Sequence, residues 1–284
     1  MVKLLSNVNI TTILESYSSF QEILPKILSN VNGNFSIYQK KVTVIIPAYN
    51  EENRILPVLN EVCTFIFNNT LSWEVVVSID GTDRTEIITK EIKEKFPFLN
   101  YTKGTGRSGK GGAIKRVLPE IHGEFTVLMD ADGSIAFEEI VRAFLLLDKS
   151  DVVIMSRYKK NNNIPFLRRF LSRGFNIIVR SVTGLNVSEA QSGYNIFRTE
   201  FFATSMQSVT VTNASYEVPL LYYIKKMGGR ILETSAEYTH DENWKLNPIS
   251  MAMSFGISLI AFRIRNSPPY AYVPKFLIMD VKTW

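Results

Sequence analysis

The stretch Val127-Leu128-Met129-Asp130-Ala131-Asp132-Gly133 is an apolar run that ends in two carboxylates, spaced one residue apart and followed by a glycine. The pattern predicts a short buried strand that carries the acids at its end. In an open α/β sheet, ligands bind beyond the carboxyl ends of the strands, and strand alternation puts Asp130 and Asp132 on one side of the chain. Such a pair can hold Mg²⁺ or Mn²⁺, and the cation can hold a diphosphate. Ordinary turn chemistry at Asp132-Gly133 is the alternative interpretation.

Strand and helix patterns alternate around this run, which predicts an α/β fold with a mostly parallel sheet and helices on both faces. The other predicted strands are residues 41–46, 73–80, 100–102 and 152–155. The predicted helices run from about residue 51 past Phe65, over 83–96, from the glycine-rich loop 104–112 to Leu118, and over 137–147. Residues 216–227 are predicted as a further helix, with a strand after Gly228-Gly229.

The flanking segments have a different character. Residues 1–40 carry apolar residues at helical spacing and are predicted as an amphipathic leader helix that packs on residues 41–240, the main domain, or lies on a membrane. Residues 164–185 mix arginines with large apolar residues, which is typical of a helix in a membrane interface, although a solvated cationic face explains the pattern nearly as well. Residues 241–284 are predicted as an apolar and basic membrane-proximal segment.

Composition limits the classes of protein and partner. The chain has 284 residues, of which 45% are hydrophobic and 21% charged, and this is normal for a globular protein. Cys63 is the single cysteine, so a disulfide framework is excluded and a reducing compartment is expected. The net charge of +5 allows a nucleic acid, an anionic membrane or a phosphorylated substrate as partner. We expect no nucleic acid, because the basic residues lie among long apolar side chains rather than exposed stacking aromatics.

Six motifs in one order resemble the family 2 glycosyltransferases of GT-A type. They cover roughly residues 41–240 and are Val44-Ile45-Ile46-Pro47-Ala48-Tyr49-Asn50-Glu51-Glu52, Ile79-Asp80-Gly81-Thr82-Asp83, Gly109-Lys110-Gly111-Gly112-Ala113, Met129-Asp130-Ala131-Asp132, Asp151-Val152-Val153-Ile154-Met155-Ser156-Arg157 and Gln191-Ser192-Gly193-Tyr194-Asn195-Ile196-Phe197-Arg198. Within the family the chain looks most like dolichyl-phosphate β-glucosyltransferases, with the mannosyltransferases as cousins. The resemblance implies a Rossmann-like GT-A sheet, together with amphipathic membrane-interface helices.

The resemblance also implies roles for individual residues. Those expected to line the nucleotide site are Pro47, Ala48, Tyr49, Glu51, Asp80, Lys110, Asp130, Ala131 and Asp132. Asp132, with Asp130, is expected to hold Mg²⁺ or Mn²⁺ as the cofactor. The residues expected at the reacting sugar and acceptor are Asp130, Asp132, Arg157, Gln191, Ser192 and Glu217. Two positions depart from the family pattern: Ile79 and Pro219 each stand where the family carries an acid.

The function these features favour is a metal-dependent, inverting transfer of a hexose onto dolichyl or polyprenyl phosphate by a peripheral enzyme at the cytoplasmic face of a membrane. UDP-glucose is the first expected donor and GDP-mannose the second. A phosphate acceptor is largely dianionic at pH 7 and needs positive charge rather than a general base. A hydroxyl on a glycan or lipid-linked saccharide would need a base such as Asp130, Glu189 or Glu217. A non-catalytic protein that binds nucleotide sugars or membranes is the alternative from another class.

Overall fold

The computed structural model describes residues 40–157, 166–239 and 248–266. Its strands are β1 (Val42–Tyr49), β2 (Trp73–Asp80), β3 (Leu99–Lys103), β4 (Phe125–Leu128), β5 (Val152–Ser156), β6 (Asn195–Arg198) and β7 (Ile231–Ser235). Its helices are α1 (Ile55–Asn68), α2 (Thr85–Lys95), α3 (Lys110–Val117), α4 (Phe137–Phe144), α5 (Phe166–Thr183), α6 (Thr199–Ser208), α7 (Glu217–Lys226) and α8 (Pro248–Arg265). The leader predicted for residues 1–40 lies outside the described residues, apart from Lys40.

The seven strands form one sheet in the order β3-β2-β1-β4-β6-β5-β7. Neighbouring strands run parallel except around β6, which is antiparallel to both β4 and β5. The predicted mostly parallel α/β sheet is therefore confirmed, but β6 was not predicted as a strand. It has only four residues, and two of them, Asn195 and Arg198, are polar, so it carries neither an apolar run nor a clean alternation.

Helices cover both faces of the sheet, which explains why the central strands are buried and mostly apolar. On one face Trp73 packs against Phe137 and Phe144, with ring centroids 5.9 and 5.5 Å apart. On the other face Ile45 and Leu128 pack in a cluster to which α3, α6, α7 and α8 contribute buried side chains. Leu259 and Phe262 of α8 belong to that cluster, so α8 packs on the core although it lies beyond residue 240. The predicted domain boundaries stay predictions.

The strand order places a crevice between β1 and β4. From β1 the chain builds outward through β2 and β3 on one side, and then returns to add β4 on the other side. A reversal of this kind separates the loops that leave two neighbouring strands and opens a binding crevice at their carboxyl ends. The residues after Tyr49 and after Leu128 therefore face each other across this crevice.

The basic helix predicted for residues 164–185 is observed as α5, which packs against α8. The side chains of Arg168, Arg169 and Arg173 lie outside what the structure describes. In its described part, Val179 is buried while Ile177 and Ile178 are more than half exposed. Among the helices of the described ranges, we find none long and apolar enough to cross a membrane.

Candidate active site

The site centres on an ion pair between the glycine-rich loop and the acidic turn after β4. Lys110 is the first residue of α3, and its Nζ lies 2.5 Å from Asp130 Oδ1 and 3.9 Å from Glu217 Oε1. Glu217 begins α7, so three separate elements converge on one ammonium group. Lys110, Asp130 and Glu217 were each predicted as site residues, and the fold brings these three side chains together.

Glycines make this convergence possible, because the backbone of α3 approaches the segment before α7 very closely. A Cβ at position 109 would lie 2.5 Å from the carbonyl oxygen of Thr212, and one at position 111 would lie 2.7 Å from Tyr216 Cβ. Gly109 also has φ of 75°, a conformation that L side chains rarely adopt. Packing thus requires glycine at positions 109 and 111, and the close approach brings Lys110 to Glu217.

A third glycine, Gly193, lies against the Asp130 carboxylate on the oxygen that does not face Lys110. A Cβ on Gly193, which has φ of 76°, would clash with Asp130 Oδ2. The Gly193 N–H donates to Glu217 Oε1 at 3.2 Å, and the Tyr216 hydroxyl donates to the same oxygen at 3.2 Å. Glu217 therefore serves as an acceptor for several donors and links the turn before β6 to α7.

Asp132 is held by a tyrosine and by its own turn. The Tyr194 hydroxyl donates to Asp132 Oδ1 at 2.9 Å, and the Ser134 N–H donates to the same oxygen at 3.0 Å. β4 ends at Leu128, so Asp130 and Asp132 lie in the turn beyond it. Strand alternation therefore does not set the directions of their side chains, contrary to the prediction from the sequence. Turn chemistry at Asp132 and a role in binding are both compatible with this geometry.

The pKa values of three acids in the site, Asp130, Glu217 and Glu51, are all raised. Burial raises the pKa of Asp130 and that of Glu217, and the nearby Lys110 only partly offsets the effect. Burial alone would lower the pKa of Lys110, but Asp130 and Glu217 outweigh it, so the net pKa is raised. Burial also raises the pKa of Glu51, and Asp132 adds to the effect. The site is an acidic cluster around a single lysine, which favours binding of a further cation.

The donor set fits Mg²⁺ or Mn²⁺ that arrives with a diphosphate. Asp130 and Asp132 offer carboxylate oxygens, the ligands these hard cations prefer. Across the described ranges, no group of three or more acidic, His or Cys side chains is placed to form a complete protein cage. Mg²⁺ in nucleotide sites is commonly held by one or two carboxylates plus substrate phosphates, and Asp130 with Asp132 matches that pattern.

Asp80, expected at the base or ribose, is buried behind the glycine-rich loop. Its Oδ2 accepts hydrogen bonds from the Ser108 N–H at 2.7 Å and the Ser108 hydroxyl at 2.6 Å, and its Oδ1 lies 2.5 Å from Arg116 Nη2. A Cβ on Gly104 would clash with the same carboxylate. Asp80 thus anchors Ser108 in the loop that precedes Lys110, and its contact with a nucleotide stays a prediction.

The end of β1 forms the other wall of the crevice. Tyr49 is 44% exposed, and the guanidinium of Arg107 lies over its ring, 4.6 Å from the centroid. Glu51 pairs with Arg54 at 2.7 Å, and its N–H donates to the Thr85 hydroxyl at 2.9 Å, which ties the turn to α2. Of the remaining residues predicted for the nucleotide site, Pro47 is half-buried, and Ala48 and Ala131 are buried.

Arg157 follows β5 and forms a buried ion pair. Its Nε lies 2.5 Å from Glu189 Oε1, its N–H donates to Glu189 Oε2 at 3.0 Å, and its guanidinium lies 5.4 Å from the centre of the Tyr238 ring. Burial raises the pKa of Glu189 to about 7, although Arg157 acts in the opposite direction. Glu189 is thus the ion-pair partner of Arg157. The charge of Arg157 also acts on Asp130.

Gln191 and Ser192 hold the turn that leads into β6. The Gln191 side-chain amide donates to the carbonyl oxygen of Ala214 at 3.4 Å. The Ser192 hydroxyl donates to the carbonyl oxygens of Met155 and Tyr194. These contacts place the turn between β5 and the segment before α7, while the roles predicted for both residues at the sugar stay predictions.

The two departures from the family pattern are accommodated by the fold. Ile79 is buried in β2. Pro219 is the third residue of α7, where a backbone N–H has no intrahelical acceptor, so proline removes no helical hydrogen bond. Its buried ring lines a small apolar cavity together with Val218 and Leu259.

Sequence reasoning missed four residues that shape the site: Arg107, Ser108, Arg116 and Tyr194. Tyr194 lay inside a recognised motif and Arg107 and Ser108 inside the glycine-rich loop, but nothing local indicated their partners. Their contacts are to Tyr49, Asp80 and Asp132, which other elements supply. Only the folded arrangement reveals these pairs.

Comparison with known protein families identifies a match over more than half of the chain. The model of the family described as Glycosyl transferase family 2 matches residues 43–205. This range includes the crevice between β1 and β4, the glycine-rich loop and the turn that leads into β6.

Two curated proteins of similar sequence share a name. The dolichyl-phosphate beta-glucosyltransferase of Dictyostelium discoideum is 26% identical over 263 residues, covering 86% of this chain and 80% of the relative. The human protein of the same name is 24% identical over 245 residues, covering 80% and 76% of the two chains.

Solved structures share the fold. Glucosyl-3-phosphoglycerate synthase from Mycobacterium tuberculosis in complex with UDP has a TM-score of 0.62 and 18% identity, covering 82% of this chain and 86% of that chain. The same enzyme with Mn²⁺, UDP and glucosyl-3-phosphoglycerate has a TM-score of 0.62 and 19% identity, covering 82% and 85%. At these identities the likeness establishes the fold.

Proposed function

We propose, from the premise that this chain belongs to glycosyl transferase family 2, that it transfers a hexose from a nucleoside diphosphate sugar to the phosphate of a polyprenyl lipid such as dolichyl phosphate. The resemblance seen in the motifs is confirmed at the level of the family. The observation that carries the proposal is the contact of Lys110 with Asp130 and Glu217, next to Asp132, in the crevice between β1 and β4.

UDP-glucose is the proposed donor. The curated relatives are named as glucosyltransferases, and neighbours of the same fold were solved with UDP and either Mn²⁺ or Mg²⁺. Tyr49 and Arg107 offer a flat, exposed surface at the carboxyl end of β1, which suits a nucleobase. GDP-mannose is the second candidate donor, because the same crevice chemistry would serve it.

Asp130 and Asp132 are proposed to hold the divalent cation. When bound, Mg²⁺ or Mn²⁺ supplies positive charge that stabilises the leaving diphosphate. Lys110 adds a second positive charge at the start of α3, where helix N–H groups also favour phosphate. These residues would bind and orient the diphosphate as the leaving group.

A phosphate acceptor explains why the site offers few free bases. Glu189 is committed to Arg157, and Glu217 accepts hydrogen bonds from Gly193 and Tyr216 while facing Lys110. A phosphate dianion needs no proton removed, but it must approach another anion, and Arg157 with Lys110 can offset that repulsion. Attack opposite the leaving diphosphate inverts the anomeric centre and gives a β-linked product from an α-linked donor.

A peripheral position at the cytoplasmic face of a membrane suits such an acceptor, since its lipid tail stays in the bilayer. α5 and α8 pack against each other, and each carries isoleucines that are more than half exposed. These are Ile177, Ile178, Ile260 and Ile264, and the exposed Arg180 and Arg263 lie on the same two helices. Exposed apolar groups beside cations suit a surface with anionic headgroups.

The decisive experiment measures transfer of labelled sugar into polyprenyl phosphate, from UDP-glucose and separately from GDP-mannose. We expect label in the lipid from UDP-glucose, lost with EDTA and lowered at least about a hundredfold in Asp132→Ala, since it removes a proposed metal ligand. Asp148→Ala, at an exposed position outside the crevice, is the matched control and should behave like the wild type.

Other outcomes would change the proposal in defined ways. Lipid label from GDP-mannose alone would make GDP-mannose the donor in place of UDP-glucose. Label that appears only on a glycan or a lipid-linked saccharide would reject the phosphate acceptor. Intact nucleotide binding without transfer to any acceptor would support a non-catalytic binding protein instead.

A further inference from the structure

We propose that Lys110 is the counter-ion of Asp130 in the nucleotide-free protein, and that a divalent cation binds only weakly until a nucleoside diphosphate draws Lys110 away. The inference rests on the proposed function, because it concerns the same site. It adds an order of events that the family assignment does not contain: the diphosphate releases Asp130 for the metal.

The geometry makes Lys110 a direct competitor of the metal. Its Nζ lies 2.5 Å from Asp130 Oδ1, which is contact distance for an ion pair, and Gly193 lies close against Oδ2 on the other side. The carboxylate is therefore enclosed between an ammonium group and a backbone. A cation that ligates Asp130 must share or replace the position of Lys110.

The charges around Lys110 define two alternative states. Asp130 and Glu217 lie 2.5 and 3.9 Å from this ammonium group, and the charge of Asp132 also acts on it. When Lys110 contacts Asp130, the carboxylate of Asp130 is already neutralised, and a divalent cation is repelled by the ammonium group beside it. With Lys110 on a diphosphate, the dication meets free carboxylates and a bound anion, which is the more favourable arrangement.

Lys110 is placed so that it can exchange between these partners. It is the first residue of α3, its side chain is 23% exposed, and that of Asp130 is 33% exposed, so a ligand can reach both groups. A flexible four-carbon stem lets the ammonium group move without moving the helix. The N-terminus of α3 attracts phosphate to the same place.

The exchange predicts a positive coupling between the two ligands, with Lys110 contributing part of it. In a binding cycle, UDP raises the affinity for Mn²⁺ and Mn²⁺ raises the affinity for UDP by the same factor. Removing the charge of Lys110 frees Asp130 in the absence of UDP, so Mn²⁺ alone should bind more tightly. The enhancement by UDP should then become smaller.

The test measures Mn²⁺ binding from the electron paramagnetic resonance signal of free Mn²⁺, with and without UDP. We expect Lys110→Gln to bind Mn²⁺ without UDP about tenfold more tightly than the wild type, and to gain less affinity when UDP is added. Lys110→Arg keeps the charge and should resemble the wild type. Lys93→Gln, at a partly exposed position outside the site where the lysine bonds Asn100, controls for the loss of a lysine.

The outcomes separate this inference from the proposed function. Mn²⁺ affinity without UDP that is unchanged or weaker in Lys110→Gln overturns the inference, while Mn²⁺ binding with UDP keeps the proposed function. Absence of Mn²⁺ binding even with UDP in the wild type overturns both. Lys110→Met, which has no polar group to satisfy, repeats the test if the glutamine variant fails to fold.

Discussion

Asp80 is a buried carboxylate that accepts hydrogen bonds from Ser108 and Arg116. It lies at the carboxyl end of β2, where a functional acid is expected, yet it is nearly inaccessible and holds Ser108 and Arg116. Charged hydrogen bonds of this kind contribute about 1.5–3 kcal/mol each. We infer that Asp80 acts on the donor through the loop that positions Lys110.

Replacement of this acid tests the positioning role. We expect Asp80→Asn to weaken UDP binding about tenfold, because the loop loses a charged anchor, while the protein still folds. Isothermal titration calorimetry with UDP and Mn²⁺ measures the change. Ser108→Ala should weaken binding less, and the two effects should not add, since both act on one contact. Fully additive losses would instead favour a direct contact of Asp80 with the nucleotide.

At the scale of elements, the approach of α3 to the segment before α7 sets the geometry of the site. The two backbones come so close that residue 111 has no room for a side chain, since a Cβ would also lie 2.8 Å from the carbonyl oxygen of Val211. Backbone atoms cannot give way as a flexible side chain can. Lys110 reaches Glu217 because this contact is made.

Gly111→Ala should destabilise the protein by about 1–3 kcal/mol, since overpacking outweighs the better helix propensity of alanine. Gly106→Ala is the matched control in the same loop, because a Cβ there meets nothing within 4 Å and should change stability by less than about 0.5 kcal/mol. Urea unfolding compares the two. Equal stability of both variants would contradict the close approach of α3.

A second link between elements lies at the opposite end of the sheet. Asp151 precedes β5 and accepts hydrogen bonds from the Arg230 N–H at 2.9 Å, Arg230 Nε at 3.1 Å and Arg198 Nε at 3.2 Å. It therefore joins β5 to the end of β6 and the start of β7. The hydrogen bond from Arg230 lowers the pKa of Asp151, although burial acts in the opposite direction.

The contribution of Asp151 to stability should depend on pH. Because its folded pKa lies below the ordinary value of 3.8, the contribution is full above about pH 4 and is lost as the pH falls through the folded pKa. Asp151→Asn should cost about 1–2 kcal/mol at pH 7, a figure kept small because Arg230 is largely exposed. Unfolding measured from pH 7 to pH 3 checks this, with the exposed Glu120→Gln as control. A difference that grows toward acid pH would refute the assignment.

At the scale of the whole molecule, the face formed by α5 and α8 is the proposed membrane surface. Both helices are anchored in the core by buried residues such as Val179 and Phe262, so their exposed isoleucines are held outward by rigid elements. This arrangement suits shallow contact with lipid headgroups. It would bring the protein close to a lipid-linked acceptor.

Flotation with liposomes tests this surface in the full chain. We expect the wild type to float with vesicles that contain anionic phospholipid, and the double variant Ile260→Glu with Ile264→Glu to bind at least about tenfold more weakly, because each isoleucine gains on the order of 1 kcal/mol from partial burial. Ile87→Glu changes an exposed isoleucine on α2 and should float normally. Undiminished flotation of the double variant would place membrane contact on another part of the molecule.

The amino-acid sequence by itself determined the class of fold and the family. Continuous apolar runs predict β1, β2 and β5 because a strand buried on both faces needs apolar residues at every position. The glycine-rich loop and the pair Asp130 and Asp132 were recognisable because they occur in order with four other motifs, although each motif alone is a weak signal. These are local properties, and local patterns are what a linear sequence displays.

The tertiary structure alone decided the direction of β6 and the partners within the site. Nothing near Lys110 in the sequence indicates that its ammonium group meets Asp130 and Glu217, or that Tyr194 holds Asp132. Asp80, which was predicted to contact the nucleotide, has Ser108 and Arg116 as its partners within the fold, and no local pattern indicated them. Such pairs form between elements distant in the chain, and their distances depend on how the layers pack. A sequence motif therefore names the residues of this site, whereas packing assigns each one its partner.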